Sequence, residues 1–279
     1  MSNSQPVAAP KALVLRSPGP QAIGLLRSEW TKLVSLRSAI WSLTSLVVVT
    51  VGFTALFTWF TVANWGRVDS AAQLQIMADP ARQILGAGFQ FGQLAVCVLG
   101  VLMVTSEYAS GTIRASLLAV PARVPVLANK CAVFAAVVFV VGEVTAFLAF
   151  FVGAAVIRPR ASVSLADPGV VRAVLGTGLY LALLGVMAIA IGVLVRHTAG
   201  AITGIIGFVL VLGPLAQLLP GTIGQHIHAY LPSEAGILIA SPQQAPTDLL
   251  SPWQGFGVAC FWTALLIALA GYTLKRRDA

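Results

Sequence analysis

Long apolar runs alternate with short polar segments along almost the whole chain. Six runs are long enough to cross about 30 Å of hydrocarbon at 1.5 Å per residue: 39–64, 84–106, 131–157, 171–195, 199–219 and 252–274. A segment inside a bilayer must satisfy its backbone hydrogen bonds internally, so each run is predicted to be a helix. The pattern therefore predicts an all-α, polytopic membrane protein with six transmembrane helices.

The composition indicates that lipid surrounds most of the chain. Apolar residues make up 58% of the 279 residues and charged residues only 9%, against about 25% charged residues in soluble domains. The three cysteines, Cys97, Cys131 and Cys260, lie inside or at the edge of apolar runs. This placement predicts no disulfide framework and no metal site.

The basic residues are distributed unequally between the two sides of the predicted membrane. With the N-terminus inside, 12 of the 17 Lys and Arg residues fall on the cytoplasmic side, as the positive-inside rule requires. Both termini are therefore predicted to be cytoplasmic. The net charge of +8 then reflects topology and contact with anionic lipids, so nucleic acid is not expected as a partner.

The chain before the first run divides into two parts. Residues 1–20 are polar and proline-bearing, and a disordered cytoplasmic tail is predicted. Residues 21–38 place apolar side chains on one stripe at helical spacing, which predicts an amphipathic interfacial helix. In this helix Trp30 would lie at headgroup level, with Lys32 and Arg37 near the phosphates. Such a helix could be a simple anchor or could transmit force.

The segment 107–130 is polar, basic and proline-bearing between two apolar runs. Glu107 is predicted to end the second span, and Gly111 relaxes the chain after it. Residues 112–120 could form a short helix that Pro121 stops. The alternative is an ordinary solvated cytoplasmic loop.

Two sequence patterns resemble patterns found in one protein family. The residues Glu107-Tyr108-x-x-Gly111-Thr112-x-Arg114, followed by Pro121, Arg123 and Lys130, resemble the loop between the second and third spans of type-2 permeases of ATP-binding-cassette (ABC) transporters. The stretch Ser28-Glu29-Trp30-x-Lys32-Leu33-x-Ser35-Leu36-Arg37-Ser38 resembles the elbow helix of bacterial members. The remainder, 39–279, corresponds to the six-helix permease domain.

This resemblance implies a function and partners. A coupling helix within 107–130 would dock on a cytoplasmic ATPase subunit, two permease copies would form a homodimer or heterodimer, and an amphipathic or hydrophobic substrate would be exported across a bacterial plasma membrane. The coupling residues would be Gly111, Thr112, Arg114 and Arg123, with Glu107 as the charge beside the hinge. The chain has no G-x-x-x-x-G-K-[ST] phosphate loop. ATP and Mg²⁺ are therefore expected on the partner, with no cofactor on this chain.

Several polar or small residues inside the spans could have functional roles. Glu143 is costly at the bilayer centre, and with Gln90 and Gln93 it could line a translocation path or be satisfied by a neighbouring helix. Gly200 and Gly204 form a small-xxx-small pair. That pair could pack within the chain or against a second copy.

The segment 220–251 lacks Lys and Arg and is predicted to form a short amphipathic or re-entrant piece under the outer surface. His226 and His228 alone are weak support for a metal site. Two further functional interpretations remain besides a permease: a non-transporting membrane scaffold or immunity protein, and an intramembrane enzyme.

Overall fold

The computed structural model describes residues 24, 30, 31, 37–111 and 123–276. Every regular element in these ranges is a helix. Six helices are long and apolar enough to cross a membrane. They are α1 (Arg37–Ala63), α3 (Pro80–Ser110), α4 (Arg123–Ile157), α5 (Val170–Val195), α6 (Thr198–Gln217, with a π-helical turn at Gly207–Val211) and α9 (Pro252–Arg276). The short helices are α2 (Ser70–Ala78), α7 (Gly221–Ala229) and α8 (Pro232–Ile237), with 3₁₀ turns at Trp65–Arg67 and Leu238–Ala240.

The six predicted spans are confirmed as helices, but two of them extend further than the hydropathy pattern indicated. α3 continues to Ser110, so Glu107 lies one turn before its end instead of ending it. α4 begins at Arg123, which places Lys130 inside the helix instead of before it. The physical reason is that a helix need not stop at the membrane surface, because backbone bonding continues wherever the residues tolerate it.

The central helix of the bundle is α5. It is buried over most of its length and contacts α3, α4, α6 and α9. Glycines allow these helices to pack closely. A side chain at Gly185 of α5 would overlap the ring of Phe134 on α4, and Gly100 of α3 lies against the Gly185 carbonyl oxygen. α1, α6 and α9 are mostly exposed along their lengths, and apolar side chains such as Trp59 and Phe60 cover the outside of α1.

Small residues allow a close contact between α1 and α3. Thr50, Thr54 and Thr58 repeat every four residues and form a buried stripe on α1. The stripe faces Gly88 and Gly92 of α3, where a Cβ would overlap the Thr50 carbonyl oxygen and hydroxyl. Gly88 and Gly92 therefore form a small-xxx-small contact between α3 and α1. Gly200 and Gly204 of α6 are exposed, and a side chain there would meet only α5 and its connection to α6.

The bundle has two distinct ends. The basic end carries the start of α1, the end of α3, the start of α4, the turn between α5 and α6, and the end of α9, and its charged residues include Arg37, Lys130, Arg196, Lys275 and Arg276. The opposite end carries α2, α7, α8 and the long connections. Most of 21–38, including Lys32, lies outside the described residues, as does the whole of 1–20. The interfacial helix and the disordered tail therefore stay predictions, while Trp30 is helical and 53% exposed and Arg37 is the first residue of α1.

Candidate functional site

An ion pair joins α3 to α4 at the basic end. The Lys130 Nζ lies 2.8 Å from the Glu107 Oε1, and the two side chains are only 6% and 15% exposed. Glu107 comes one turn before the end of α3, and Lys130 comes two turns after the start of α4. The pair thus joins the two helices that flank residues 111–122.

The α3 helix ends with a glycine C-cap. Gly111 adopts the left-handed conformation, with φ of 72°, and its N–H donates to the Tyr108 carbonyl oxygen at 3.3 Å. Glycine occupies this conformation without steric cost, so the helix ends at Gly111 and not at Glu107 as the sequence predicted. Thr112, Arg114 and the short helix predicted over 112–120 lie outside the described residues. Arg123 is the first residue of α4.

The turn between α5 and α6 contacts the same end of α3. The Arg196 guanidinium carbon lies 5.3 Å from the centre of the Tyr108 ring, within the range of a cation–π interaction. Arg196 itself has a positive φ of 59°, and the His197 Nδ1 accepts a hydrogen bond from the Gly200 N–H at 3.2 Å. These two features form a tight turn between α5 and α6.

The three polar residues predicted to line a path have different surroundings. Gln90 is exposed on α3, whereas Gln93 is 2% exposed and its Oε1 has no hydrogen-bond partner in the described chain. Both carboxyl oxygens of Glu143 are also buried without a partner among the described residues. They lie against Gly178 of α5, where a side chain would displace them. Among the described residues, the Glu143 carboxyl group and the Gln93 carbonyl oxygen are therefore buried without a hydrogen-bond partner.

Arg172 clamps the connection that follows α8, and the sequence analysis did not single it out. Its Nη1 approaches the carbonyl oxygens of Leu238 and Ile239 at 3.4 and 3.3 Å. Its Nη2 donates to those of Ser241 and Pro242 at 2.9 and 2.8 Å. One side chain at the start of α5 thereby holds the chain that leads from α8 towards α9.

A cavity of about 580 Å³ opens beside this clamp at the opposite end. Its charged or titratable lining residues are Arg82, His228, Glu234 and Asp248. His228 and Glu234 approach each other to 3.7 Å, whereas His226 contacts the Thr222 carbonyl oxygen at 2.7 Å. The two histidines thus have different partners. Among the described residues, no three His, Cys, Asp or Glu side chains are grouped to hold a metal.

Comparisons with known proteins add no family assignment. No protein-family model matches the chain, and no curated protein is significantly similar to it. The functional conclusion therefore rests on the six helices that are long and apolar enough to cross a membrane and on the geometry of the two ends.

Proposed function

We propose that this chain is the permease subunit of an ABC transporter in a bacterial plasma membrane. It moves an amphipathic or hydrophobic substrate, in the direction of export, between two six-helix units. The basic end faces the cytoplasm, in keeping with the positive-inside rule. The chain is not an enzyme in its own right, because ATP and Mg²⁺ are bound and ATP is hydrolysed on a separate subunit.

The observation that carries this proposal is the Glu107–Lys130 ion pair. The connection 111–122 joins two helices, and near their ends the Lys130 Nζ lies 2.8 Å from the Glu107 Oε1. A partner that pushes on the connection therefore moves α3 and α4 as a unit instead of stretching a loose loop. α3 and α4 both pack on the central helix α5, so the displacement reaches the middle of the bundle.

The proposed partners follow from which surfaces the bundle leaves uncovered. Gly200 and Gly204 of α6 are exposed, and small residues permit close contact with another helix in lipid. A second permease copy could occupy this face, as homodimer or heterodimer. Membrane lipids cover the exposed apolar side chains of α1 and α9.

Purification in mild detergent from the native host tests the proposal. We expect mass spectrometry to find a co-purifying ABC ATPase with the wild-type chain. The double variant Thr112→Asp/Arg114→Asp should lose it, because acidic side chains would replace the proposed docking residues. The matched control Arg158→Asp/Arg160→Asp changes two exposed residues at the opposite end and should retain the ATPase.

Two results would contradict the proposal. One is recovery of the chain without any ATPase, and the other is equal recovery with both double variants. Either result would favour a non-transporting scaffold. ATPase activity stimulated by candidate substrates in proteoliposomes distinguishes a transporter from a scaffold that only docks the same partner.

A further inference from the structure

Glu143 is the only charged residue in the apolar run 131–157. At 1.5 Å per residue it lies about 20 Å along α4 from both Lys130 and Arg158. In a hydrocarbon layer of about 30 Å its carboxyl group is therefore near the middle of the span. A carboxyl group at this depth is costly, so its surroundings bear on what it does.

The carboxyl group has no hydrogen-bond donor among the described residues. Both of its oxygens are buried without a partner. The nearby hydroxyl groups of Thr145 on α4 and Thr177 on α5 donate to carbonyl oxygens of their own helices. Arg172, the basic residue of α5, directs its guanidinium to the connection after α8. Glu143 is therefore a strong acceptor for which the described chain supplies no donor.

The carboxyl group lies against α5 at Gly178. A Cβ on this glycine would overlap the carboxyl group, so the missing side chain leaves a space that the carboxyl group fills. This space is named the Gly178 notch. Glu143 as a whole is half-buried although both of its oxygens are covered, so its exposed part is not the carboxyl group. Rotation about the side-chain bonds of Glu143 moves the carboxyl group out of the Gly178 notch.

The surface beside the Gly178 notch is the outside of the described bundle. Val140 and Val144, which flank Glu143 along α4, are 60% and 53% exposed. Leu175, one turn before Gly178 on α5, is 42% exposed. Acyl chains cover such apolar side chains at this depth. A molecule dissolved in the bilayer therefore reaches Glu143 without passing through water.

We propose that Glu143 and Gly178 form a binding site for the ammonium headgroup of a cationic amphipathic compound that lies in the bilayer. An ammonium group supplies the positive charge and the N–H donors that the carboxyl group lacks. The apolar side chains beside the Gly178 notch contact the hydrocarbon part of the compound. In the empty site the carboxyl group lies in the Gly178 notch, and in the occupied site it turns towards the lipid and pairs with the ammonium group.

The depth of this site gives it a role in moving such a compound. A cationic amphipath keeps its headgroup at the membrane surface, and passage of the charge through the hydrocarbon is the costly step. A carboxylate near the middle of the span offsets this cost where it is highest. The inference rests on the proposed function, because it assigns the exported compound to the class of cationic amphipaths.

Equilibrium binding to the purified chain in detergent tests the site. The probe is radiolabelled dodecylamine, which is an ammonium ion at neutral pH. The competitors are unlabelled dodecylamine and dodecanol, which has the same hydrocarbon chain and no charge. We expect dodecanol to compete about tenfold less well, the difference that one charge-assisted hydrogen bond makes. Equal competition by the two compounds would overturn the proposal.

Three variants make the test specific. Glu143→Gln should lower the affinity for dodecylamine about tenfold, because the amide carries no charge. Gly178→Ala should raise it about threefold, because the methyl group displaces the carboxyl group from the Gly178 notch and so favours the orientation that binds. Glu234→Gln is the matched control in α8, outside the spans, and should keep the wild-type affinity. Wild-type affinity in Glu143→Gln, or no rise in Gly178→Ala, would overturn the proposal.

Photocrosslinking of the wild-type chain covers the case in which a variant does not fold. A dodecylamine analogue with a diazirine near its ammonium group would be irradiated with the purified chain, and mass spectrometry would identify the labelled peptides. We expect labelling of α4 and α5 around Glu143 and Gly178 that excess dodecylamine suppresses and excess dodecanol does not. Labelling confined to other helices would contradict the proposal.

Both measurements use the chain without an ATPase. A missing preference for the ammonium compound would therefore overturn the headgroup site and leave the co-purification test of the transporter unaffected. Loss of the ATPase partner in that test would overturn the transport function while binding at Glu143 could still be measured.

Discussion

Replacing Lys130 by Met tests how strongly the Glu107–Lys130 pair holds the ends of α3 and α4. Methionine keeps most of the volume of the lysine stem and removes the charge. The Glu107 carboxylate, 15% exposed in the wild type, then loses its contact with the Lys130 ammonium group. Glu107→Gln makes the reciprocal change, and the double variant removes both charges together.

The expected magnitudes follow from the separation and the burial of the pair. At 2.8 Å, Coulomb's law gives an attraction of about 6 kcal/mol at an effective dielectric constant of about 20. Desolvation of the two ions offsets most of this, so the pair has a small net effect, whereas loss of one partner costs about 3–5 kcal/mol. We therefore expect each single variant to be destabilised by about 3 kcal/mol, with the double variant close to wild type.

Thermal denaturation in detergent, followed by size-exclusion chromatography, measures these effects. For a chain of this size a loss of about 3 kcal/mol corresponds to a fall in the melting temperature of about 10 °C. The double variant should recover most of that loss. Single variants within about 2 °C of wild type would refute the reasoning, as would a double variant that loses the sum of both single effects.

Three further predictions concern the bundle and its opposite end. Gly88→Leu should destabilise the chain by roughly 3 kcal/mol through overpacking against α1. Thermal denaturation should show almost no effect for the control Gly86→Leu, whose surroundings are open. Equal destabilisation by the two substitutions would contradict the α1–α3 contact. Arg172→Gln should speed hydrogen exchange in 238–242 about tenfold, because four carbonyl oxygens lose their donor; an unchanged rate would show that the clamp is dispensable. Glu143→Gln should lower transport in proteoliposomes severalfold, and unchanged transport would limit Glu143 to packing.

The six spans could be predicted because hydropathy and length alone decide which segments cross a bilayer. The exact helix ends could not, since the extension of α4 to Arg123 lies beyond the apolar run. The Gly88–Gly92 contact could have been found from two patterns together. The glycine spacing matches a small-xxx-small pair, and the threonines of α1 recur every fourth residue.

The polar contacts were less predictable, because their partners are distant in sequence or lie in the backbone. Arg172 bonds to carbonyl oxygens about 70 positions away. Every residue has a backbone carbonyl group, so the sequence does not show which ones accept these hydrogen bonds. His226 and His228 are neighbours in sequence, yet residues two apart on a helix point to different sides. His228 instead meets Glu234, six positions further, because the chain folds back between α7 and α8.

Site-specific photocrosslinking most directly tests the central claim that the basic end docks an ATPase. A photoreactive amino acid would replace Ala109, which is exposed beside the connection 111–122. A control would replace Leu249, which is exposed at the opposite end. We predict that mass spectrometry identifies an ABC ATPase crosslinked through position 109 and none through position 249. Crosslinks from position 109 that contain only other proteins, or an ATPase recovered equally from both positions, would contradict the account.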